Sequence, residues 1–312
     1  MQGMCEKVMN YKEFLRAVVS EMEAIESGDG TELKISIVQE NKNGVIRDGI
    51  RLFSEKDNCS LFYSLPQTET DEFEFEYTGE RVARVAIHIM EVFFNNIENV
   101  RSATEMMQSL EDAQKALLPV LYSKETFEKM KIDCPHRYFF DLVICYQLFA
   151  ERISARKGTV FVTNELAEDL DVNEENLFQK AMENMKQSTY VENLTEQLAE
   201  KKKCNHGCCM DDAAANVDIY IIKCNEKYGD GAMLNAQCLN ELAKEFDTKR
   251  LVIIPCSLHE CLVVDGKNIN VSALRELIRY NNKTRVFEED VLSYSVYYYD
   301  VKKGYGMYET RK

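Results

Sequence analysis

Two apolar runs of strand length, "RLVIIP" (250–255) and "HECLVV" (259–264), follow each other with only a turn between them. So short a connection makes neighbouring strands antiparallel, because a parallel return needs a dozen or more residues. Around this pair the order is mixed: strand "VDIYIIKC", helix "LNAQCLNELAKEF", the two strands, helix "VSALRELIRYNN", strand "SYSVYYYDV". That order argues against a doubly wound parallel sheet and predicts an α+β fold, a largely antiparallel mixed sheet with packed helices.

The N-terminal third has a pattern of its own. Tyr11, Phe14, Leu15, Val18, Val19, Met22 and Ile25 recur at three- and four-residue steps, one apolar face of a helix that Gly28 and Gly30 end. "ELKISIVQE" and "GVIRDGIRLF" then read as strands joined across "NKNG", whose Asn and Gly accept the positive φ of a tight hairpin. "CSLFYSL" is a third strand, and Val82, Val85, Ala86, Ile89, Met90 and Phe93 mark a second helix. Residues 1–105 are therefore expected as a small α+β unit preceding a larger α+β domain over 106–312. In the latter, "MMQSLEDAQKALLPVLY" reads as helical up to Pro119, and "RYFFDLVICYQLF", rich in aromatic and β-branched residues, as a strand. A helix starting near Asn173 stacks Leu177, Phe178, Ala181, Met182 and Met185 on one side.

Composition narrows the function classes. The chain has 45% hydrophobic and 29% charged residues with only 13 Gly and 4 Pro, so it reads as folded throughout. No apolar run reaches the length of a membrane span, and "MQGMCEKVMNYKEF" lacks the layout of a secretion signal. A net charge of −15 repels phosphate backbones and anionic lipid. The expectation is a cytoplasmic protein with no nucleic-acid or membrane partner. Eleven scattered cysteines, an odd number, fit reduced thiols; Cys145, Cys224 and Cys261 lie among apolar neighbours.

The stretch "IPCSLHECLVV" gathers Cys256, Ser257, His259 and Glu260. Pro255 donates no ladder hydrogen bond and should end its strand, leaving Cys256 and Ser257 in the turn. His259 and Glu260 open the next strand and point to opposite sheet faces, so they are expected to form no His–carboxylate pair with each other. Ser257 and His259 would share a face with Cα atoms roughly 6.6 Å apart, too far for easy nucleophile activation. "HECLV" lacks the second histidine of a zinc protease. "KKKCNHGCCMDD" offers Cys204, His206 and Cys208, with Cys224 further on, as metal ligands, but the second ligand pair of a structural zinc site is missing. Neither metal nor cofactor is expected. "DCPHRYFFD" sets His136, Arg137 and Asp141 at a strand entrance; Arg137 can grip a carboxylate or phosphate, though such a residue more often pairs with a local acid. "YGDGAMLN" has neither a P-loop ending nor a dinucleotide fingerprint.

Five segments, "CPHRYFFDLVICYQLF", "GTVFVTNELAEDLDVNEENLFQKAMENM", "AMLNAQCLNELAKEF", "RLVIIPCSLHECLVV" and "EEDVLSYSVYYYD", together resemble an uncharacterised domain family of gut-dwelling clostridia. The resemblance covers most of the chain from about residue 105 and, more loosely, the N-terminal helix and hairpin. It implies a cytosolic α+β protein and carries no activity. Pro135, His136, Arg137, Asp141, Asn184, Ser257, His259, Glu260 and Asp300 fall on that family's polar motif positions, which adds Asn184 to Arg137 and Asp141 as ligand-binding candidates. Cys256 departs from the family's serine, and the cysteine-rich 204–209 insertion is foreign to it.

Three readings of function follow. The leading one is a binding or regulatory module whose sheet end collects His136, Arg137, Ser257, His259 and Glu260 to recognise a peptide or small ligand. The second is a hydrolase in which His136 activates Ser257 or Cys256. The third is an oligomeric or interaction protein using the tyrosine-rich end "SVYYYDVKKGYGMY"; the oligomeric state stays open.

Overall fold

A computed structural model describes residues 10–29, 33–54, 59–64, 79–106, 110–152, 159–195, 218–224, 229–267 and 269–308. The chain divides into two compact units, Met1–Glu105 with Arg156–Gly158, and Met106–Ala155 with Thr159–Lys312.

In the first unit, α1 (Tyr11–Asp29) starts at Asn10. The Asn10 side chain accepts the Glu13 N–H at 3.0 Å and the Glu13 carboxylate accepts the Asn10 N–H at 3.1 Å, a reciprocal cap. β1 (Leu33–Lys42) and β2 (Val45–Ser54) are antiparallel up to the Lys42–Val45 pair. Asn43 and Gly44, between them, have φ of 50° and 86°, and this doubly positive turn matches the twist of a hairpin. β3 (Cys59–Ser64) adds to β2. Ile50 and Leu52 of β2 meet Phe14, Leu15, Val18 and Met22 of α1. Val82, Ala86, Ile89 and Phe93 of α2 (Gly79–Met106) complete that core. The stripes legible in the sequence are the faces that are buried.

The second unit is α+β with two antiparallel sheets rather than one. The smaller sheet is built on β6 (Leu142–Phe149), all eight residues of which are buried. β4 (Leu117–Ser123) pairs along one side; β5 (Arg137–Phe139) and β7 (Thr159–Phe161) share the other. The larger sheet has the order β13-β12-β10-β11-β9-β8. Its strands are β8 (Tyr190–Asn193), β9 (Ile219–Lys223), β10 (Arg250–Pro255), β11 (Cys261–Asp265), β12 (Tyr297–Asp300) and β13 (Gly304–Met307). All its pairings are antiparallel. Helices α4 (Lys124–Met130), α5 (Asn164–Asp169), α6 (Glu174–Ser188), α7 (Ala236–Glu245) and α8 (Val271–Thr284) are capped by Ser123, Thr163, Asn173, Asn235 and Asn270. Each capping side chain accepts a backbone N–H three residues on, satisfying a donor the helix leaves over. α8 lies on one face of the larger sheet, where Ile278 packs with Val252, Ile254, Val264 and Val296.

Three local expectations are corrected. The helix before Pro119 is short, α3 (Leu110–Ala116), and Pro119 lies inside strand β4. Proline is tolerated there because β4 is an edge strand. Residues 137–149 form a hairpin, β5 and β6, not one strand. The break falls at Phe140, whose φ of 57° is unusual for a bulky residue; its ring is held by Phe139 and Tyr297. Residues 256–260 form a loop, so strand alternation does not govern His259 and Glu260. At the C-terminal end the tyrosines turn largely inward: Tyr297 and Tyr299 are buried, Tyr299 meets Tyr305, and Tyr298 meets Tyr308.

Candidate functional site

The β10–β11 connection is fastened by its own backbone. Pro255 pairs with Cys261, and the N–H groups of Cys256 and Ser257 both reach the Glu260 carbonyl, at 3.2 and 3.4 Å. Ser257 Oγ accepts the His259 N–H at 3.1 Å, a local turn bond typical of serine. The Leu258 N–H donates to the Asp290 carbonyl at 3.0 Å, and the Leu258 carbonyl accepts from Gly229 at 3.0 Å. The turn is therefore tied to two other segments. Its side chains are released from strand geometry, and His259 finds an acid from outside the motif: Nε2 stands 3.5 Å from Asp290 Oδ2.

Beside this turn, between one face of the larger sheet and α8, lies a cavity of about 580 Å³, within the range of small-molecule sites. Its apolar wall includes Leu194, Ile221, Ile254, Leu262 and Leu277. Phe287, 70% exposed, stands at its margin. Ser257, His259, Glu260, Arg285 and Asp290 supply the polar part together with Asn281 and Asn282 of α8. Cys256 also lines it, but burial first and the Glu260 charge second push its thiol up to about 12. That thiol stays protonated at neutral pH and is a poor nucleophile.

The other predicted residues are placed elsewhere. His136 lines a separate cavity of about 500 Å³ that shares no residue with the first. Its Nδ1 lies 2.9 Å from the Cys134 carbonyl, and its ring packs on Phe127 and Tyr138. Arg137 grips Glu174 through Nε and a terminal nitrogen at 2.7 and 2.6 Å, reaches Glu175 at 2.8 Å, and stacks on Phe178 at 3.6 Å. Burial works to raise the Glu174 carboxyl; the hydrogen bonds from Arg137 and Tyr146 outweigh it and hold the group below the usual range. Asp141 accepts from Ser293 at 3.0 Å, from Ser295 at 2.9 Å and from the Tyr297 hydroxyl. Asn184, buried on α6, donates to the carbonyls of Gln114 and Leu117 at 2.7 and 2.8 Å. Asp300 accepts the Lys302 and Lys303 N–H groups in the β12–β13 turn and pairs with Arg250 at 3.2 Å. These contacts build the fold.

A model of a family of unknown function, DUF5688, matches residues 11–301. The chain belongs to that family. No curated protein and no solved structure matches it. For this DUF5688 chain the site must therefore be read from its own residues. Cys204, His206 and Cys208 lie outside the described residues, whereas Cys224 is buried at the end of β9. Among the described residues no group of three or more His, Cys, Asp or Glu is placed to hold a metal ion. No described helix is long and apolar enough to cross a membrane.

Three residues escaped the sequence reading. Asp290 and Arg285 reach the cavity from the segment after α8, and no local spacing links them to 259. Asp230 is fully buried in "YGDGAM"; Oδ2 accepts the Leu121 N–H of β4 at 2.6 Å, and Oδ1 has no hydrogen-bond partner among the described residues. Burial raises its carboxyl well above the usual range. Its flanking glycines were the available signal: a Cβ at Gly229 would sit 1.8 Å from the His259 carbonyl, and one at Gly231 2.5 Å from that of Pro119. Only glycine permits so close a backbone approach.

Proposed function

We propose that the second unit is a cytosolic binding module and that its ligand, a small molecule or a peptide side chain with an apolar body and a polar end, enters the cavity beside the 256–260 turn. The observation that carries this reading is convergence: Ser257, His259 and Glu260 line one cavity of about 580 Å³ whose remaining wall is mostly apolar. An apolar wall with a few fixed polar groups is the usual make-up of a ligand site. Exposed Phe287 and half-exposed Leu277 extend the apolar surface past the mouth. Catalysis by Ser257 or Cys256 has less behind it, because His136 lines another cavity, the Cys256 thiol is protonated, and Ser257 Oγ is engaged by the His259 N–H.

The test is binding of the fluorophore anilinonaphthalene sulfonate, an aromatic body with one anionic end, to the folded chain, followed by Leu277→Glu. Leu277 is 51% exposed, so the substitution should leave the fold standing. It places a charge on the cavity wall and should weaken probe binding by about tenfold. Unchanged binding in a folded variant would remove the cavity from consideration.

A further inference from the structure

Besides the protonated Cys256 thiol, four ionisable side chains line the cavity, in two differing pairs. His259 and Asp290 close on each other at 3.5 Å. Glu260, on the turn, and Arg285, just past the end of α8, do not meet, and neither side chain has a hydrogen bond or ion pair among the described residues. Three arginines elsewhere are held by acids: Arg51 by Glu40, Arg137 by Glu174, and Arg250 by Asp300. Exposed Arg16, Arg84 and Arg279 are, like Arg285, without such a partner among the described residues, and what sets Arg285 apart is its place at the cavity. Lys223, the cation whose charge Glu260 influences, is committed to Glu192 at 3.1 Å. The cavity thus presents one unmatched carboxylate and one unmatched guanidinium, with apolar wall around them. A ligand with one charge would answer only half of this arrangement, and an uncharged one would leave both groups without a partner.

Resting on the cavity reading above, we propose that the ligand is a small zwitterion of the α-amino acid class with a large apolar side chain. Its ammonium meets Glu260, its carboxylate meets the Arg285 guanidinium, and its side chain lies against Ile254, Leu262 and Leu277. Guanidinium suits a carboxylate because its planar donors match the two oxygens. The apolar wall favours leucine, methionine or phenylalanine over polar amino acids.

Calorimetric titration of the full chain with these three amino acids, and with phenylpropanoate and phenethylamine as one-charge analogues of phenylalanine, tests the assignment. Phenylalanine should bind about tenfold more tightly than either analogue. Glu260→Gln should weaken phenylalanine and phenethylamine and spare phenylpropanoate; Arg285→Gln should weaken phenylalanine and phenylpropanoate and spare phenethylamine. Both positions are solvent-accessible, and a urea unfolding curve for each variant verifies the fold. The proposal is overturned if none of the three amino acids binds, if phenylalanine binds no better than its analogues, or if either variant shifts all three phenyl compounds alike. If the fluorophore binds, is lost in Leu277→Glu and is displaced by no amino acid, the cavity reading stands and the zwitterion fails. If the fluorophore does not bind either, both fail.

Discussion

Two polar turns of the second unit look alike in sequence and behave differently in structure. In "DCPHRYFFD", Arg137 is bound on two carboxylates and an aromatic face, and Asp141 takes three hydroxyl donors. In "IPCSLHE" the backbone and Ser257 Oγ hold the turn together, and the Glu260 carboxylate is left facing the cavity. A charged side chain with all its partners inside the fold is explained by the fold. One left without them, beside an apolar cavity, is open to a ligand. Position on a motif does not separate the two cases; the state of each hydrogen-bonding group does.

The sharpest way to break this contrast is at Asp141. Asp141→Ala leaves Ser293, Ser295 and Tyr297 without their shared acceptor and should cost about 3 kcal/mol in urea unfolding; a loss below about 1 kcal/mol would remove Asp141 from the fold's supports. Next comes Arg137→Ala, at about 2 kcal/mol, with Arg137→Lys recovering less than half, because an ammonium reproduces neither the fork nor the stacking. The pH dependence has a defined sign. The folded pKa of Glu174 is lowered, so its stabilisation is present above the unfolded value of about 4.3 and is lost as pH falls through the folded one. The gap between wild type and Arg137→Ala should shrink in that window, and a constant gap would speak against the pairing.

Asp230 gives a smaller effect of opposite sign. Its folded pKa is raised, so its contribution is complete below the unfolded value of about 3.9 and is lost as pH rises through the folded one. Asp230→Asn, an uncharged isostere, should be more stable than wild type by up to about 1.5 kcal/mol at pH 5, the linkage limit there, with no difference below pH 3.5. Equal stability at pH 5 and above would mean that the carboxyl ionises without cost.

Much of the fold is legible in sequence because local rules act in the same direction as packing. The α1 stripe, the Asn43–Gly44 turn and the asparagine caps of α6, α7 and α8 each need only a few neighbouring residues. Where the reading failed, a distant partner decided. Pro119 is admitted to a strand because β4 is an edge, with Asp230 at its Leu121 N–H. Phe140 turns the chain because aromatic rings from the same hairpin and β12 hold it. The site was half legible: Ser257, His259 and Glu260 are adjacent in sequence, but Asp290 and Arg285 arrive from beyond α8, and His136 goes to a different cavity. Spacing along a chain reports contacts within an element and is silent about contacts between them.

The most direct test compares one charge from each turn by urea unfolding at pH 7, Glu260→Gln against Arg137→Gln. The account predicts that Arg137→Gln loses about 2 kcal/mol, while Glu260→Gln stays within about 0.5 kcal/mol of wild type. A Glu260→Gln loss as large as that of Arg137→Gln would contradict it, since both turns would then serve the fold alone.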